Sequence, residues 1–402
     1  MTKPVAVIGA GAAGLLAALT AARRGVDVVL LESTTDGGRK ILISGGGRCN
    51  ILPSVAQPER YVTDSSPNTL RKILRSWPLG EQRAFFETEL GMPLELEDDT
   101  GKLFPASNRA RDVRDTLVER VRGAGARIWF DARVTGLSKE DDGWTVGLQG
   151  SAPLPARAVI VATGGLSVPK TGSDGAGLDM VRGLGHETSP TYPALTPLTA
   201  TPHPHVALAG IATDVTLSAP GARPAFRTCG ALLITHRGWS GPAILDASHL
   251  ATRGDTDGSR QDVVVDWSGP EPLDWDAALL EKRGTVRAVV STRLPRRLAE
   301  ALVTEAGVHP GTPLAELRRT DRRAVVAALT AYTLPWTGHE GYAKAEVTGG
   351  GVRLDQIDPR TMESRRTPGL FLCGEILDAF GPIGGHNFQW AWATGRAAGA
   401  SV

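Results

Sequence analysis

The sequence is poor in cysteine, with three in 402 residues: Cys49, Cys229 and Cys373. They lie far apart, and no Cys-x-x-Cys pair occurs. A disulfide framework needs several paired cysteines, and zinc sites or redox-active disulfides need two close together. The sequence therefore argues against a disulfide scaffold, a zinc module and an oxidoreductase that works through a redox-active disulfide. It predicts no metal site.

An excess of charge and long apolar runs are also lacking. The 44 basic and 43 acidic residues give a net charge of +1, and no later apolar run is long enough to span a membrane. We interpret the arginine clusters at 109–114 and 318–323 as solvated helix faces. The expectation is a soluble, cytoplasmic protein whose partner is a small-molecule substrate, not nucleic acid or a membrane. The sequence does not indicate an oligomeric state.

Glycine is abundant, and its clearest pattern is at the amino terminus. Val5 to Ile8 is a short apolar run typical of a buried strand, and a helical pattern follows up to Gly25. The turn between them carries glycines that suit a sharp turn, close backbone approach to a pyrophosphate and helix-on-sheet packing, namely Gly9, Gly11 and Gly14. A second strand ends at Glu32, whose carboxylate can accept hydrogen bonds from ribose hydroxyls. This unit predicts nucleotide binding, with FAD and NAD both open.

The next segment, 36–50, is so rich in glycine that we predict neither helix nor ordinary strand. Three glycines around Gly46 allow the backbone to lie flat against a planar ligand. Arg39 and Arg48 supply forked donors, and Asn50 supplies an amide. Because the segment follows the ribose acid directly, we expect it to form a second cofactor contact.

Two later strands are predicted to bring further glycine turns to the ligand. The run 158–161 is a buried strand followed by a turn with Thr163 and Gly164, at the sheet edge where ligands bind in α/β proteins. Another strand, 370–373, precedes Gly374 and Glu375, and a helix is expected from Asn387 onward. A helix amino end directed at a flavin stabilises its anionic reduced form, which favours FAD over NAD.

The fold class predicted from these elements is α/β, with a Rossmann-type, glutathione-reductase-like FAD-binding domain that is interrupted by an inserted β-barrel and helical module. One long helix is expected over Pro67 to Glu89. A second strand-GxGxxG-helix unit is absent from the sequence, which argues against a separate NAD(P)H domain. The expected division is 1–191 for the first part of the FAD domain, 192–272 for the barrel, 273–334 for the helical module, 335–348 for a return strand of the barrel and 349–402 for the second part of the FAD domain.

The chain resembles the bacterial flavoproteins of the BaiN-like or aminoacetone-oxidase-like NAD(P)/FAD-dependent oxidoreductase family over nearly its whole length. The most specific motifs are Ser44-Gly-Gly-Gly-Arg-Cys-Asn50 and Gly384-Gly-His-Asn-Phe-Gln-Trp390. His386 stands where members of that family often have tyrosine. The resemblance implies that FAD is lined by Gly9, Gly11, Ala13, Gly14, Glu32, Arg39, Lys40, Gly46, Asn50, Thr163, Gly164, Gly374, Glu375, Asp378, Gly385, His386 and Asn387.

For catalysis we select His386, which the motif places beside the flavin and whose ordinary pKa lies near neutrality. The alternative is that His386 packs in the interior or holds a cofactor carbonyl. Three functions are compatible with the sequence. The first is a reductase that takes hydride from NAD(P)H, bound transiently, and passes it through flavin N5 to a small organic acceptor. The second is an oxidase of a small amine that uses oxygen, and the third is a non-catalytic FAD-binding redox sensor.

Overall fold

The structure is a computed structural model that describes residues 3–223, 225–280 and 283–402, with only the backbone of Asp257. The chain forms two compact units. The first comprises the residues up to Thr191 together with Glu346–Val402, and the second comprises Tyr192–Ala345. Residues 346–348, which were expected in the return strand of the barrel, thus belong to the first unit.

The strands of the described chain, in chain order, are β1 Val5–Ile8, β2 Val28–Leu31, β3 Leu52–Pro53, β4 Leu94–Glu97, β5 Lys102–Pro105, β6 Arg127–Trp129, β7 Val134–Glu140, β8 Gly143–Leu148, β9 Leu154–Ala156, β10 Ala158–Val161, β11 Thr188–Ala194, β12 Leu198–Thr199, β13 Ala212–Ala219, β14 Phe226–Ile234, β15 Gly238–Ser240, β16 Val264–Asp266, β17 Tyr332–Thr333, β18 Gly338–His339, β19 Val347–Val352 and β20 Leu370–Leu372. The α-helices are α1 Ala12–Arg23, α2 Arg39–Ile43, α3 Pro67–Arg75, α4 Leu79–Ala84, α5 Ala110–Gly123, α6 Ala176–Gly183, α7 Pro242–Ala247, α8 His249–Thr252, α9 Gly254–Asp257, α10 Trp275–Ala278, α11 Val286–Val290, α12 Arg296–Glu305, α13 Arg319–Thr330 and α14 His386–Ala400.

A five-stranded parallel sheet is the centre of the first unit, with strand order β20-β10-β1-β2-β6. Every residue of β1, β2 and β10 is buried. Continuous apolar strands of this kind are stable only when both faces of the sheet are covered. The observed sheet confirms the predicted α/β fold, and the carboxyl ends of β1, β2, β10 and β20 lie at one edge of it.

Helices α1 and α14 pack against each other at backbone distance, because α14 carries glycine where it meets α1. A Cβ atom on Gly395 would lie 2.4 Å from the carbonyl oxygen of Ala13, and one on Gly399 would lie 2.3 Å from that of Ala17. Any larger side chain at these two positions would separate the helices. Residues far apart in sequence thereby form one layer over the sheet.

The prediction of one continuous helix over Pro67 to Glu89 is wrong. The structure has α3, then α4 beginning after Pro78, and then a π-helical turn over Phe85–Glu89. Proline disfavours helical geometry in the residue before it and has no N–H to donate, so the helix ends and restarts there. Sequence periodicity did not detect this break because the apolar stripe continues on both sides.

The second unit contains a seven-stranded sheet with order β17-β16-β13-β14-β15-β12-β18. All its pairings are antiparallel, and the longest joins Ala212–Ala219 to Phe226–Ile234. Its core is formed by this sheet and helices of the same unit, with Trp239, Trp267 and Trp275 almost completely buried. The helices and the sheet therefore share one hydrophobic core.

Candidate functional site at the carboxyl edge of the parallel sheet

The three glycines after β1 have different surroundings. Gly9 has a φ of +98°, which is a left-handed conformation that favours glycine. A Cβ atom on Gly14 would lie 1.9 Å from the carbonyl oxygen of Gly9, so helix and turn require glycine there. A Cβ atom on Gly11 would meet no atom of the described chain within 4 Å. Gly11 is thus free of packing constraints, as expected if a ligand approaches its backbone.

Glu32, at the end of β2, is 7% exposed and holds the neighbouring loops. Its Oε2 accepts a hydrogen bond from the Ala10 backbone N–H at 2.8 Å. Its Oε1 accepts from the backbone N–H and the hydroxyl of Thr34, each at 2.8 Å. Each carboxylate oxygen has two acceptor positions, so Oε2 can accept one further bond. The sequence interpretation foresaw a ribose contact but not this structural role.

The segment after Glu32 differs from the expectation that it forms neither helix nor strand. Arg39–Ile43 is an α-helix, and Ser44–Gly47 is a 3-10 turn in which Gly45 and Gly46 have positive φ. A Cβ atom on Gly46 would meet no atom within 4 Å in the part of the chain that the structure describes. Glycine runs are poor helix formers, but five non-glycine residues before the run suffice for a short helix.

Two of the predicted residues in this segment already have partners in the chain. The Arg39 guanidinium pairs with Asp36 at 2.7 Å on the surface. The Asn50 amide, oriented to satisfy its neighbours, accepts a bond from the Gly385 backbone N–H at 3.0 Å and donates to the Leu52 carbonyl at 3.1 Å. Asn50 therefore joins the glycine segment to the start of α14.

A polar network joins four segments at this edge: α2, the turn after β10, β19 and the turn after β20. The Lys40 ammonium lies 2.6 Å from Glu375 Oε2 and donates to Ser167 Oγ at 2.6 Å. Ser167 Oγ donates to Glu375 Oε1 at 2.7 Å, and the Thr348 backbone N–H donates to the same oxygen at 3.0 Å. The side chains of Lys40 and Glu375 are 25% and 18% exposed. We call these four residues the Lys40 network.

Sequence reasoning selected Lys40 and Glu375 but missed Ser167 and Thr348. Ser167 follows the glycines at 164 and 165, and Thr348 precedes three glycines within β19, which was the available signal. The Thr348 hydroxyl also accepts hydrogen bonds from the Leu166 and Ser167 backbone N–H groups, at 2.7 and 3.1 Å. The network therefore fixes the turn after β10 as well as the turn after β20.

The turn after β10 contains a buried polar atom whose partner is missing from the described residues. The Thr163 hydroxyl is inaccessible to solvent and makes no hydrogen bond there. Gly164 beside it has a φ of +75°. A buried hydroxyl without a partner is costly, by about 1–3 kcal/mol, and calls for a ligand or another explanation.

Asp378 and Asn387 act mainly within the chain. Asp378 is 2% exposed, and its Oδ2 accepts hydrogen bonds from the Ser65 hydroxyl at 2.8 Å and the Asp64 backbone N–H at 3.1 Å. Burial raises the pKa of Asp378 above its ordinary value. The Asn387 amide binds both the N–H and the carbonyl of Gly381, each at 2.9 Å. These two residues hold the loop before α14 in place.

His386 is the first residue of α14, with Gly385 before it in the left-handed conformation. Its side chain is buried, and its Nδ1 has no hydrogen-bond partner among the described residues. The Tyr61 hydroxyl donates to the His386 backbone carbonyl at 2.7 Å, and the two rings meet edge to face at 5.8 Å. Burial, and then the positive charge of Arg60, lower the pKa of His386 to about 4. The pKa in the folded chain is thus lower than the ordinary value on which the choice of His386 rested.

This pKa predicts an acid sensitivity of the fold. In the unfolded chain His386 takes up a proton near its ordinary pKa of about 6.5, but in the folded chain only near pH 4. The contribution of His386 to the free energy of unfolding is therefore fully present above about pH 6.5. It falls as the pH drops toward 4, by about 1.4 kcal/mol per pH unit for one proton. Urea unfolding of the apoprotein at pH 7, 6 and 5 should show this slope, and His386→Asn should reduce it by close to one proton.

Other buried histidines, His186 and His249, also have a lowered pKa and contribute a slope of the same sign. The comparison between the variant and the parent protein isolates His386 from them. His309→Asn, at an exposed histidine, is the matched control. An unchanged pH slope in His386→Asn would show that the pKa of His386 in the folded protein is close to its ordinary value of about 6.5.

These observations fit an extended dinucleotide at the sheet edge. Gly11 and Gly46 leave the backbone accessible, and Thr163 and His386 each present a buried polar atom without a partner. Among the described residues no group of His, Cys, Asp and Glu side chains is arranged to hold a metal ion. A search of the same residues finds no helix long and apolar enough to cross a membrane.

The fold and this site define the class: the protein is an FAD-dependent oxidoreductase with a Rossmann-type FAD-binding fold. More particularly, the chain belongs to the family described as "HI0933-like protein Rossmann domain", whose model matches residues 3–401. The family resemblance inferred from the sequence motifs is confirmed.

Curated relatives match almost the whole chain. It is 32% identical over 411 residues to the 3-dehydro-bile acid delta(4,6)-reductase of Clostridium scindens, covering 99% of this chain and 98% of the relative. It is 32% identical to the ribosomal RNA dihydrouridine synthase of Escherichia coli, covering 96% and 95%. The Haemophilus influenzae protein of the same name is 31% identical, covering 98% and 97%.

Solved structures of lower identity share the fold. The 3-ketosteroid delta1-dehydrogenase of Sterolibacterium denitrificans gives a TM-score of 0.53 at 12% identity, covering 99% of this chain and 98% of that chain. The 3-ketosteroid-delta4-(5alpha)-dehydrogenase of Rhodococcus jostii RHA1 gives 0.51 at 16%, covering 100% and 96%. At these identities the likeness concerns the fold alone.

Proposed function

We propose that this chain uses FAD to reduce a carbon–carbon double bond conjugated to a carbonyl group, in a small organic acceptor, with NAD(P)H as the electron donor. The observation that carries the proposal is the chemistry common to the curated relatives. A 3-oxo steroid with 4,6 double bonds and the uracil ring of uridine differ greatly in size, but both contain a double bond conjugated to a carbonyl. Both relatives align with at least 96% of this chain.

Bound FAD would supply hydride transfer, and the chain's residues would bind and orient it. The amino end of α1, with Gly11, would accept the pyrophosphate, and Glu32 Oε2 would accept a ribose hydroxyl. The amino end of α14 would provide positive charge that favours a negatively charged reduced ring, and the Lys40–Glu375 pair would hold the adjoining turns in place. Gly46, Asn50, Thr163, Gly164, Gly374, Gly385 and Asn387 would shape the same site.

Of the two roles that the sequence left open for His386, this proposal takes the second, in which the side chain holds a hydrogen bond. With a pKa of about 4 it is neutral at pH 7, so it would hold a hydrogen bond through Nδ1 instead of delivering a proton. A neutral imidazole beside the flavin binds and orients the ring or the acceptor carbonyl. A separate nucleotide domain is not required, because a nicotinamide can bind transiently before the acceptor.

The test is an anaerobic titration of the purified FAD-loaded protein with NADH and then NADPH, followed by an acceptor. We expect one nucleotide to bleach the visible flavin band, and a steroid 4-en-3-one to restore it. The matched saturated 3-ketone, which lacks the conjugated double bond, should restore nothing. If dithionite bleaches the flavin but neither nucleotide does, NAD(P)H is not the electron donor. Small amines would then be tested as donors, with oxygen uptake as the measurement.

The acceptor class has its own control. In a second arm of the experiment a uridine-containing ribosomal RNA transcript replaces the steroid. In a third arm the mononucleotide UMP replaces it. Recovery of the flavin band by the transcript alone would contradict the small-molecule acceptor and favour an RNA substrate. Recovery by the enone alone supports the proposal as stated.

A further inference from the structure

The first unit contains a second groove outside the cofactor site. It opens between the carboxyl-terminal parts of α1 and α14 and the segment that contains α4 and the π-helical turn, and it encloses about 600 Å³. That volume is in the range of small-molecule sites. We call it the α1–α14 groove; its lining is Leu16, Thr20, Arg23, Arg24, Trp77, Glu81, Ala84, Phe85, Thr88, Glu89, Arg396 and Ala400.

The groove lies at the far end of the helices from the cofactor turns. Helix α1 begins directly after Gly11 and ends at Arg23, so it is about 18 Å long at 1.5 Å per residue. Helix α14 begins at His386, and Arg396 comes ten residues later, about 15 Å along the axis. A ligand in this groove would therefore be separate from FAD and from a substrate at the flavin.

The floor of the groove is apolar and rigid. Leu16, Trp77 and Phe85 are buried beneath it, and the rings of Trp77 and Phe85 meet edge to face at 5.4 Å. Ala84 and Ala400 contribute only methyl groups to the lining, which leaves space above the aromatic rings. The π-helical turn begins at Phe85, and such turns are frequent at functional sites.

The rim carries positive charge that the chain does not neutralise. Arg23 pairs with Glu89 at 2.7 Å and is thereby compensated. Arg24 and Arg396 are exposed and form no ion pair with any residue that the structure describes, and Arg396 lies 4.9 Å from the centre of the Trp77 ring. With Glu81 as the remaining acid, the five charged groups of the lining sum to +1. An apolar floor below a rim with a net charge of +1 complements a singly charged anion with an apolar body.

We propose that the α1–α14 groove binds a small organic acid: one carboxylate or sulfonate on a flat, apolar ring system. The ring would lie on the floor near Trp77, and the anionic group would be held by Arg24 and Arg396. This site is independent of the proposed reductase activity, because none of its lining residues belongs to the cofactor site.

The probe for the test is 8-anilinonaphthalene-1-sulfonate, whose fluorescence rises on binding an apolar surface, added to the FAD-loaded protein. We expect one saturable site. Arg24→Ala and Arg396→Ala should each weaken binding about tenfold, as expected for loss of one charge-assisted contact. Ala84→Trp, at an exposed position, should abolish it by filling the groove. Arg71→Ala is the matched control, since Arg71 is a partly exposed helical arginine outside the lining of the groove and donates a hydrogen bond to Asn68 at 2.8 Å.

Two further measurements separate this proposal from other occupants. Binding of the uncharged analogue N-phenyl-1-naphthylamine should be lost in Ala84→Trp but should hardly change in the two arginine variants. Equal binding of the anionic probe to the parent protein, Arg24→Ala and Arg396→Ala would overturn the proposal. So would a sedimentation experiment in which Ala84→Trp changes the mass of the protein in solution, because the groove would then be an interface with a second copy. If Ala84→Trp does not fold, the variant Arg24→Glu takes its place in the test.

Discussion

Replacing Gly11 with valine is expected to abolish FAD binding while the apoprotein keeps its thermal stability. The backbone of Gly11 has φ −77° and ψ −173°, which valine adopts without strain, and a Cβ atom there meets no chain atom within 4 Å. The added methyl groups would instead occupy the space in which a pyrophosphate approaches the turn. We expect the dissociation constant for FAD to rise at least about 100-fold, or about 2.7 kcal/mol, measured by quenching of flavin fluorescence.

The matched control is the same substitution three residues later. In Gly14→Val the new Cβ would lie 1.9 Å from the Gly9 carbonyl oxygen, a distance that no packing adjustment of α1 accommodates. We expect this variant to lose its cooperative thermal transition, whereas Gly11→Val keeps the parent melting temperature without FAD. Normal FAD affinity in Gly11→Val would show that the glycine turn is not the pyrophosphate site.

Replacing Lys40 with methionine is expected to destabilise the fold and to weaken FAD binding together. Methionine has a similar length but removes the charge that lies 2.6 Å from Glu375. The Glu375 carboxylate, 18% exposed, would keep its contacts to Ser167 and Thr348 but lose its cation. Removing one partner of a buried pair costs 3–5 kcal/mol, and partial exposure reduces this to about 2 kcal/mol. Urea unfolding of the apoprotein measures this loss in the free energy of unfolding.

Two variants show whether that loss comes from the unpaired carboxylate. Lys40→Met with Glu375→Gln removes both charges, and we expect it to be more stable than Lys40→Met alone. Arg39→Met removes a neighbouring cation whose pair with Asp36 is largely exposed, so a loss below about 0.5 kcal/mol is expected. Equal losses in Lys40→Met and Arg39→Met would contradict a special role for the Lys40 network.

The elements that sequence reasoning found correctly are those in which the signal is local. The strands Val5–Ile8 and Leu370–Leu372 are short apolar runs, and the glycine pattern between β1 and α1 restricts the turn to few conformations. The helix expected over Pro67 to Glu89 was wrong because its apolar stripe outweighed one proline. Segment 36–50 was judged by its glycines alone, and the short helix before them was missed.

The residues of the candidate site divide in the same way, into those with a local sequence signal and those without one. Its glycines and Glu32 were selected from spacing, and these selections stay predictions until FAD binding is measured on variants. Ser167 and Thr348 were not selected, because a local pattern does not show which groups meet Glu375: Ser167 is 208 residues and Thr348 is 27 residues from it in sequence. The low pKa of His386 was likewise out of reach, since it depends on burial of the side chain, which lies beside Tyr61, and on the nearby charge of Arg60.

By itself, the sequence determined the class of fold, the family and the position of the nucleotide turn, because each depends on local patterns of apolar residues and glycine. Only the tertiary structure decided which polar groups share a hydrogen-bond network, that burial lowers the pKa of His386, and that Arg24 and Arg396 line one groove. Those properties depend on distances between residues from distant parts of the chain and on the exclusion of water around them. The physical reason is that electrostatic energies depend on burial, and burial is set by packing of the whole unit.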